Sequence, residues 1–373
     1  MNRRLLHTPE GVRDLYGSQC SDRTWVKNAI CNQMKLFGFD EIDTPTFEFF
    51  DVFEEEISDN SAKELYKFFD QDGETMVLRP DFTPSVARCA SKYFLEDEEP
   101  VRFCYSGKTF VNTHNLQGKL KESTEIGAEL MNDGSIYADA EMIALLVETI
   151  SSTGLKDFKV SIGDADYYYG ICEEAGIDFD TEEMIREQLV NRNAFAADTI
   201  MEEAEVDPKY RELIKSVSTC IGSVGILKEA GELVNNKRSI AALNHLQELH
   251  KVLCDYGIEQ YISFDLGMLS KFNYYTGVMF GAYTYGVGDA IAKGGRYDNL
   301  LERFGKSAPS IGFMINLDDL MNALYRQDIS LPGRKEPIVI EYTADNFGEA
   351  LSKAKAYRAE GKRAILKGAN KYE

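Results

Sequence analysis

The spacing of apolar side chains changes along the chain between the period of a helix and that of a strand. Residues 22–37 place apolar side chains near helical spacing, which predicts a helix. Residues 39–48 then predict a strand that ends at Pro45, because proline lacks the N–H that a strand ladder requires. Two short apolar runs next flank Asp72-Gly73, a dipeptide that suits the positive φ angles of a tight turn, and they predict a β-hairpin.

A longer pair of strands follows, and helices then interrupt the strand pattern. Segments 101–111 and 123–131 read as strands joined by a polar, glycine-containing loop. Good helix formers predict a helix over 139–150, and from about 165 to 258 the pattern is helical and acidic. Strand patterns return at three places: 261–269, 274–285 and 289–295. The sequence therefore predicts a helical insertion within one antiparallel sheet.

These patterns predict an α+β protein in two parts. Residues 1–325 form a core sheet flanked by helices, with the helical insertion at about 165–258. Residues 331–373 read strand, helix, strand, which predicts a truncated C-terminal α/β unit. Within the core, the stretch 292–320 is interpreted as a Gly-Gly-Arg-Tyr-Asp turn beside a short helix that ends in two aspartates.

Composition and charge narrow the possible functions. The 373 residues carry a net charge of −21, and proteins bind nucleic acid mainly through Lys and Arg, so no nucleic-acid partner is expected. No apolar run reaches the ~18 residues of a membrane span, and no signal peptide begins the chain, so a cytoplasmic protein without membrane contact is expected. The four histidines and seven cysteines show no metal-binding spacing, and no Walker or GxGxxG loop occurs. No metal or cofactor is predicted.

A carboxylate and a hydroxyl stand at the start of the helix that follows the predicted hairpin. Asp81 follows a strand and precedes a helix start at Thr83-Pro84. Such a pair is suited to bind an ammonium group. The alternative is that Asp81 or Thr83 only caps the helix, a role that stabilises a helix by ~1 kcal/mol.

Two glutamates share one face of a predicted strand. Glu125 and Glu129 are four residues apart, and strand side chains alternate with a period of two, so both face the same side as Gly127. Two carboxylates around a residue without a side chain suit a cationic ligand that rests on the sheet. The alternative is an exposed acidic face.

Tyrosines and glycines of two later segments are further candidates. Tyr274 and Tyr275 point to opposite faces of a strand, so at most one of them lines a given pocket. The alternative for either is a core or interface aromatic. Gly294 and Gly295 permit close approach of the backbone and precede Tyr297, at a predicted helix start. A tight turn is the usual explanation of such a glycine pair.

Taken in order, several segments resemble the histidyl-tRNA synthetase type of class II aminoacyl-tRNA synthetase core. The resemblance covers roughly residues 8–325 and rests on TPEGVRDLYG, GFDEIDTPTFE, LRPDFTPSVAR, YSGKTFVNTHNLQGKLKESTEIGAEL, NYYTGVMF and GGRYDNLLERFGKSAPSIGF. Each segment alone is weakly specific, but their order and spacing together are specific. The resemblance implies a class II synthetase-like antiparallel sheet with the site on its face, and a dimer built partly around the segment ending at Pro45.

The resemblance also implies a pocket for histidine. Asp81, beside Thr83, stands where the family has a glutamate that holds the α-amino group of histidine. Glu129 matches a glutamate that recognises the imidazole together with a tyrosine equivalent to Tyr275, and Glu125 stands at a glutamine that also touches the amino acid. The predicted histidine-binding set is Asp81, Thr83, Glu125, Glu129, Tyr274, Tyr275 and Tyr297.

The nucleotide side departs from the family. An arginine that grips ATP is replaced by Val111, the arginine that closes the third class II motif by Asp319, and an arginine that assists adenylate formation by Ser270. Losing one preorganised donor of this kind costs ~2.7–4 kcal/mol of transition-state stabilisation. The resemblance therefore implies a chain without adenylation activity. An anticodon-binding domain needs roughly a hundred residues, and 331–373 supplies only its beginning.

This combination looks like the family of ATP phosphoribosyltransferase regulatory subunits, which serves the first step of histidine biosynthesis. In that family the chain is not catalytic. It joins a short-form catalytic subunit in a hetero-octamer that contains a homodimer of the regulatory chain, and it takes part in allosteric feedback inhibition by histidine. The resemblance therefore implies a catalytic partner, self-association and histidine as ligand.

One departure and two alternatives stay open. Ser270 cannot pair with the carboxylate of histidine as an arginine would, and Lys119, Lys121 or Lys271 would have to take that role. The alternatives are a catalytically active histidyl-tRNA synthetase and a synthetase-like scaffold protein that binds no amino acid.

Overall fold

The computed structural model describes residues 6–54, 61–113, 120–191, 193–270, 275–332 and 336–369. The chain forms two compact units. One consists of the residues up to Asp14 and of Val26–Ile329, and the other of Leu15–Trp25 and the residues from Ser330 onwards. Among the described residues, none of the helices is both long and apolar enough to cross a membrane.

The described residues form eleven α-helices: α1 (Ser18–Leu36), α2 (Thr83–Tyr93), α3 (Ile136–Ser152), α4 (Asp166–Glu174), α5 (Phe179–Val190), α6 (Ala194–Glu203), α7 (Pro208–Val217), α8 (Gly225–Gly231), α9 (Lys237–Asp255), α10 (Leu317–Arg326) and α11 (Phe347–Ala359). They also form fourteen strands: β1 (Asp40–Glu41), β2 (Phe47–Phe49), β3 (Lys67–Phe69), β4 (Thr75–Leu78), β5 (Val101–Phe110), β6 (Glu122–Met131), β7 (Phe158–Asp164), β8 (Ile221–Gly222), β9 (Ile262–Asp265), β10 (Val278–Thr284), β11 (Ala292–Arg296), β12 (Ser310–Asn316), β13 (Ile338–Tyr342) and β14 (Ala364–Gly368).

The larger unit is built on a nine-stranded sheet, in the order β1-β5-β6-β12-β11-β10-β7-β9-β8. Its central neighbours pair antiparallel, as predicted, whereas β1 with β5 and β7 with β9 pair parallel. Parallel neighbours need a long crossover, and the helices α4 to α9 of the predicted insertion supply it between β7 and β9. The α+β class II synthetase-like fold is confirmed.

The predicted hairpin at Asp72-Gly73 is present in a second, three-stranded sheet. There β3 and β4 pair antiparallel, and Gly73 has a φ of +91°. The strand predicted to end at Pro45 is the short β1, and a second strand, β2, follows Pro45 in a different sheet. The break falls around Pro45, which has no N–H for a ladder.

Two predictions within 292–320 are wrong. Gly294 and Gly295 lie inside β11, paired with β12, which agrees with the strand predicted over 289–295 and not with the turn. Asp318 and Asp319 lie in the first turn of α10 and not at the end of a helix. The strand β12, which lies between Gly295 and Asp318 in the chain, is not predicted. It is buried on both faces, and such strands lack the alternation of polar and apolar residues.

The two faces of the large sheet have different surroundings. Helices α3, α9 and α10 pack against its strands, and the apolar residues Ile126, Ala128 and Leu130 of β6 are fully buried. Glu125 and Glu129 alternate with these residues, so they project from the other face of β6, where the start of α2 lies. In the second unit, β13 and β14 pair parallel and α11 connects them, which is the strand, helix, strand order predicted for the C-terminal segment.

Candidate functional site

Glycines on neighbouring strands make room for two side chains of the site. Across the sheet, Glu129 of β6 is paired with Gly312 of β12, which is paired with Gly295 of β11. A Cβ atom on Gly312 would lie 1.6 Å from Oε2 of Glu129, and one on Gly295 would lie 2.7 Å from the ring of Tyr275. A side chain at either glycine would therefore displace the carboxylate or the ring.

Glu129 lies at the centre of a cluster of hydroxyl groups. It is 1% exposed. Its Oε1 accepts hydrogen bonds from the hydroxyls of Thr83 at 3.0 Å and Tyr105 at 3.2 Å, and its Oε2 accepts one from the hydroxyl of Tyr297. Burial raises the pKa of Glu129 to about 8, although these hydrogen bonds lower it. Neutral hydroxyls thus fix the orientation of this carboxylate.

Glu125 is buried, and one of its two carboxylate oxygens accepts no hydrogen bond from the described residues. Its Oε1 accepts a hydrogen bond from the hydroxyl of Thr109 at 3.1 Å, while its Oε2 is buried without a hydrogen-bond partner among them. Burial raises the pKa of Glu125 well above its ordinary value, the charge of Asp81 raises it further, and Arg79 opposes the rise. An unsatisfied buried carboxylate oxygen is unfavourable, so this atom is suited to accept a donor from a ligand.

Asp81 both accepts a hydrogen bond just before a helix and contributes charge to the site. Its Oδ1 accepts from the backbone N–H of Thr83 at 3.1 Å, at the start of α2. The Thr83 hydroxyl lies 3.4 Å from the same oxygen but only 3.0 Å from Glu129. The charge of Asp81 raises the pKa of both Glu125 and Glu129. The structure therefore brings together the three carboxylates and the threonine, which are separate candidates by local pattern and one group by the resemblance.

Tyr105 belongs to the site, although the sequence analysis does not identify it. Its ring lies over Gly127, where a Cβ atom would be 2.3 Å from the tyrosine hydroxyl, and it stacks on Phe82 with ring centroids 4.4 Å apart. The space above Gly127 is therefore filled by this ring, which corrects the expectation that a ligand rests there. The register of β5 against β6 is the signal, since Tyr105 lies directly opposite Gly127.

Among the described residues, Arg79 is the cation whose charge acts on Glu125. Its guanidinium lies 3.8 Å from the ring centroid of Phe82 and donates to the carbonyl oxygens of Thr44 at 2.7 Å and Lys108 at 2.9 Å. It is 4% exposed. Its charge lowers the pKa of Glu125, while backbone carbonyls and an aromatic ring hold it in place.

The tyrosine candidates have different positions. Tyr297 follows β11 directly, is 1% exposed, and donates its hydroxyl to Glu129. The predicted helix start at Tyr297 is wrong, because the next helical turn, of the 3₁₀ type, begins at Leu300. Tyr275 is half-buried and covers Gly295. Tyr274 lies outside the described residues.

A second group of charges, buried except for the partly exposed His245, lies next to the site on the opposite face of the sheet. Arg296, beside Tyr297 in the chain, forms an ion pair with Asp139 of α3, with Nε 2.9 Å from Oδ1. His245 of α9 lies 3.2 Å from Asp139 and 3.5 Å from Asp164 at the end of β7. These two aspartates raise the pKa of His245 to about 9. Positive and negative charges alternate in this group.

The three departures on the nucleotide side fall at separate places. Val111 follows β5, and its N–H donates to the carbonyl of Lys121 at 3.0 Å. The carbonyl of Ser270 accepts from the guanidinium of Arg186 at 2.9 Å. The N–H of Asp319 donates to the side chain of Asn316, which caps α10.

The neighbouring groups refine this picture. Asp318 accepts from Arg13 at 2.7 Å and from the N–H of Thr124 at 3.0 Å, so it has a structural role. Of the lysines expected to replace the lost arginine, Lys121 donates its Nζ to Asn112 at 3.1 Å. Lys119 and Lys271 lie outside the described residues.

This arrangement is chemically suited to bind a small organic cation. Its polar groups are three carboxylates and the hydroxyls that bond Glu129, and one buried oxygen of Glu125 has no hydrogen-bond partner among the described residues. Within the described ranges no group of three His, Cys, Asp or Glu side chains has a geometry for a metal ion. Ammonium and imidazolium groups donate the hydrogen bonds that such carboxylates accept.

Comparisons with known proteins agree with this fold. A family model described as histidyl-tRNA synthetase matches residues 11–320. A curated relative from Ruminiclostridium cellulolyticum, an ATP phosphoribosyltransferase regulatory subunit, is 35% identical over 360 residues, covering 96% of this chain and 86% of the relative. A protein of the same description from Acetivibrio thermocellus is 34% identical, covering 95% of this chain and 85% of its own length.

A solved structure gives the same result. An ATP phosphoribosyltransferase regulatory subunit/histidyl-tRNA synthetase from Bacillus halodurans superposes with a TM-score of 0.89 at 28% identity, covering 98% of this chain and 93% of that one. With a relative at this identity and coverage, the fold and the sequence point to one family. The chain belongs to the family of ATP phosphoribosyltransferase regulatory subunits, which is built on the histidyl-tRNA synthetase fold.

Proposed function

We propose that this chain is a non-catalytic regulatory subunit that a short-form ATP phosphoribosyltransferase catalytic subunit requires for activity, in the first step of histidine biosynthesis. Its ligand is histidine, which acts as a feedback inhibitor. The observation that carries the proposal is the set of three carboxylates, Asp81, Glu125 and Glu129, with a buried oxygen of Glu125 that has no hydrogen-bond partner among the described residues. The curated relatives of the chain are regulatory subunits.

The hydroxyl cluster supports histidine as the ligand. Glu129 is oriented by Thr83, Tyr105 and Tyr297, so one acceptor group is fixed before a ligand arrives. Fixing the acceptor in advance reduces the ordering cost of binding. Asp81 and Glu125 then offer further carboxylate oxygens to the ammonium and imidazole groups of the amino acid.

The departures on the nucleotide side support the absence of catalysis. Class II adenylation requires cations where negative charge develops on the α-phosphate, and Val111, Ser270 and Asp319 supply none. Asp319 lies in the first turn of α10, where its negative charge would repel a triphosphate. ATP turnover by this chain is therefore not expected.

The charge of the chain supports a protein partner and not a nucleic acid. A net charge of −21 opposes the binding of tRNA. The proposed assembly is a hetero-octamer in which homodimers of this chain join catalytic subunits. Histidine can then regulate activity only if it binds the active and the inhibited assembly with different affinities, which typically corresponds to 1–3 kcal/mol of coupling.

The direct test mixes this chain with a short-form catalytic subunit and measures formation of phosphoribosyl-ATP. We expect a rate well above that of the catalytic subunit alone, and inhibition when histidine is added. No increase in rate would contradict the proposal. ATP–pyrophosphate exchange with histidine tests the synthetase alternative, and exchange at the pace of an ordinary synthetase would replace our proposal with that alternative.

A further inference from the structure

One nitrogen of the Arg79 guanidinium has no acceptor among the described residues. Nε of Arg79 donates to the carbonyl oxygen of Lys108 at 2.9 Å, and Nη1 donates to the carbonyl oxygen of Thr44 at 2.7 Å. The contacts of the guanidinium leave Nη2 without an acceptor in the part of the chain that the structure describes. Arg79 is 4% exposed, and an unsatisfied donor at a buried position is unfavourable. This nitrogen is therefore suited to donate to a ligand.

Nη2 of Arg79 lies over the strand pair that carries the acidic residues of the site. A Cβ atom on Gly107 of β5 would lie 2.5 Å from Nη2, and Gly107 is paired with Glu125 of β6. Thr109, two residues further along β5, donates its hydroxyl to Glu125. Residues two apart in a strand share a face, so Nη2 lies on the same face of the sheet as the carboxylate of Glu125.

The guanidinium is held in this position before a ligand arrives. It lies 3.8 Å from the ring centroid of Phe82, and Phe82 stacks in turn on Tyr105 with ring centroids 4.4 Å apart. The lack of a side chain at Gly107 makes room for both the guanidinium and the ring of Phe82. Arginine binds carboxylates through charge-assisted hydrogen bonds, and fixing the donor in advance reduces the ordering cost of binding.

A donor and an acceptor without partners among the described residues therefore lie on one face of β5 and β6. Nη2 of Arg79 suits an anionic group, and the buried Oε2 of Glu125 suits a cationic one. The two groups do not bond each other, because Oε2 has no hydrogen-bond partner in the described ranges. An α-amino acid carries an ammonium and a carboxylate group on one carbon atom, so a single ligand of this class would satisfy both.

We propose that Arg79 binds the α-carboxylate of the amino-acid ligand through Nη2, and so takes the role of the arginine that the chain lacks at Ser270. This inference rests on the proposed function, because it assigns the carboxylate-binding residue of the same site. The carboxylate lies at Arg79, while the ammonium group lies at Asp81 and Glu125. The role is then not filled by the lysines considered from the sequence, which are Lys119, Lys121 and Lys271.

The test compares two ligands by calorimetric titration of the full chain and of its Arg79→Gln variant. L-histidinol has an alcohol in place of the carboxylate of L-histidine. We expect the unmodified chain to bind L-histidine about 10- to 100-fold more tightly than L-histidinol, the range that one charged hydrogen bond provides. In Arg79→Gln the two affinities should lie within about threefold of each other, because the affinity for L-histidine alone falls. A merely structural role of Arg79 would weaken the binding of both ligands alike.

Arg102→Gln is the matched control. Arg102 also belongs to β5, but it forms its ion pair with Glu141 of α3, on the other face of the sheet. This variant should keep the full preference for L-histidine, and melting temperatures show whether each variant is folded. If Arg79→Gln does not fold, substitution of each of the three lysines by glutamine decides instead, because the inference expects every lysine variant to keep the full preference.

Three results would overturn the inference. If the unmodified chain binds L-histidinol as tightly as L-histidine, no cation holds the carboxylate, and the inference fails while the proposed function stands. If folded Arg79→Gln keeps the full preference, or if a lysine variant loses it, another residue binds the carboxylate. If neither ligand binds, the histidine site fails as well, whereas activation of the catalytic subunit is measured separately and tests the proposed regulatory role by itself.

Discussion

Arg296 and Tyr297 are neighbours in the chain, yet they lead to two buried groups of charge with opposite character. Arg296 joins Asp139, His245 and Asp164, where each carboxylate has a cationic neighbour. Tyr297 donates to Glu129, which with Asp81 and Glu125 forms the acidic pocket. We call the first set the compensated cluster and the second the acidic pocket.

The difference between them separates a structural role from a binding role. A buried charge is tolerated when an opposite charge and hydrogen bonds accompany it. The compensated cluster meets this condition within the protein and links β11, α3, α9 and β7. The acidic pocket relies on hydroxyl donors and leaves an oxygen of Glu125 without a partner among the described residues. Stability accounts for the first arrangement, whereas the second is suited to a cationic ligand.

The largest expected effect is the loss of stability when the compensated cluster is broken. Arg296→Met leaves Asp139 without its main ion pair, and breaking a buried pair typically costs about 3–5 kcal/mol. Denaturant unfolding measures the change. Arg102→Met is the control, because its ion pair with Glu141 is more exposed and contributes about 1 kcal/mol or less. Equal losses in both variants would remove the distinction.

The next effect is on binding and not on stability. Glu129→Gln should weaken the binding of histidine by about 10- to 100-fold, since a charged hydrogen bond contributes about 1.5–3 kcal/mol. The free energy of unfolding should not fall at neutral pH, because burial raises the pKa of Glu129 to about 8 and glutamine removes the cost of protonating this group on folding. Calorimetric titration and denaturant unfolding of the same preparation check both parts. A variant that unfolds easily would mean that Glu129 has a mainly structural role.

The pH dependence of the free energy of unfolding should reflect the titration of Glu129 in the acidic pocket and of His245 in the compensated cluster. The folded chain holds the proton of Glu129, with a pKa of about 8, more tightly than the unfolded chain does, with an ordinary value of 4.5. The same is true of His245, whose pKa rises from 6.5 to about 9. The free energy of unfolding should therefore fall as the pH rises from about 4.5 to 8 through Glu129, and from about 6.5 to 9 through His245.

Two variants divide this pH dependence. Glu129→Gln should flatten the lower part of the curve, and His245→Gln should flatten only the upper part. Denaturant unfolding at a series of pH values measures the curves. The difference in stability between the unmodified chain and Glu129→Gln separates the contribution of Glu129 from that of the other carboxyl groups. If this difference shows that Glu129 increases stability from pH 5 to pH 8, the assignment of a raised pKa to Glu129 is contradicted.

The smallest effect concerns the support of the acidic pocket. Tyr105→Phe removes one of the hydroxyls that Glu129 accepts from, while the ring that stacks on Phe82 remains. We expect histidine affinity to fall by roughly threefold to tenfold, in keeping with about 0.5–1.5 kcal/mol for one neutral hydrogen bond. Tyr283→Phe, on β10 and 39% exposed, is the control and should leave the affinity unchanged.

The sequence predicts much of the fold because the spacing of its apolar residues follows the helix and strand periods in many segments. The hairpin of β3 and β4 has a turn dipeptide, and β5 and β6 alternate clearly enough to place Glu125 and Glu129 on one face. The strand β12 is not predicted, because a strand that is buried on both faces shows no alternation. Gly294 and Gly295 are misplaced in a turn, since sequence alone does not distinguish glycines of a turn from those of a crowded strand.

The site is predicted only in part, because its assembly depends on contacts between distant segments. Asp81, Thr83 and Glu129 are found as separate candidates, and the resemblance groups them. Tyr105 is missed because only the strand register places it over Gly127. The compensated cluster has no local spacing at all, with Arg296 and Asp139 lying 157 residues apart in the chain.

The most direct measurement of the central claim is inhibition by histidine of the complex formed with a short-form catalytic subunit. The unmodified chain and Glu129→Gln are compared in the same assay of phosphoribosyl-ATP formation. We predict that both activate the catalytic subunit, and that histidine inhibits the complex with the unmodified chain at concentrations that leave the Glu129→Gln complex active. Equal inhibition of the two complexes would contradict the account.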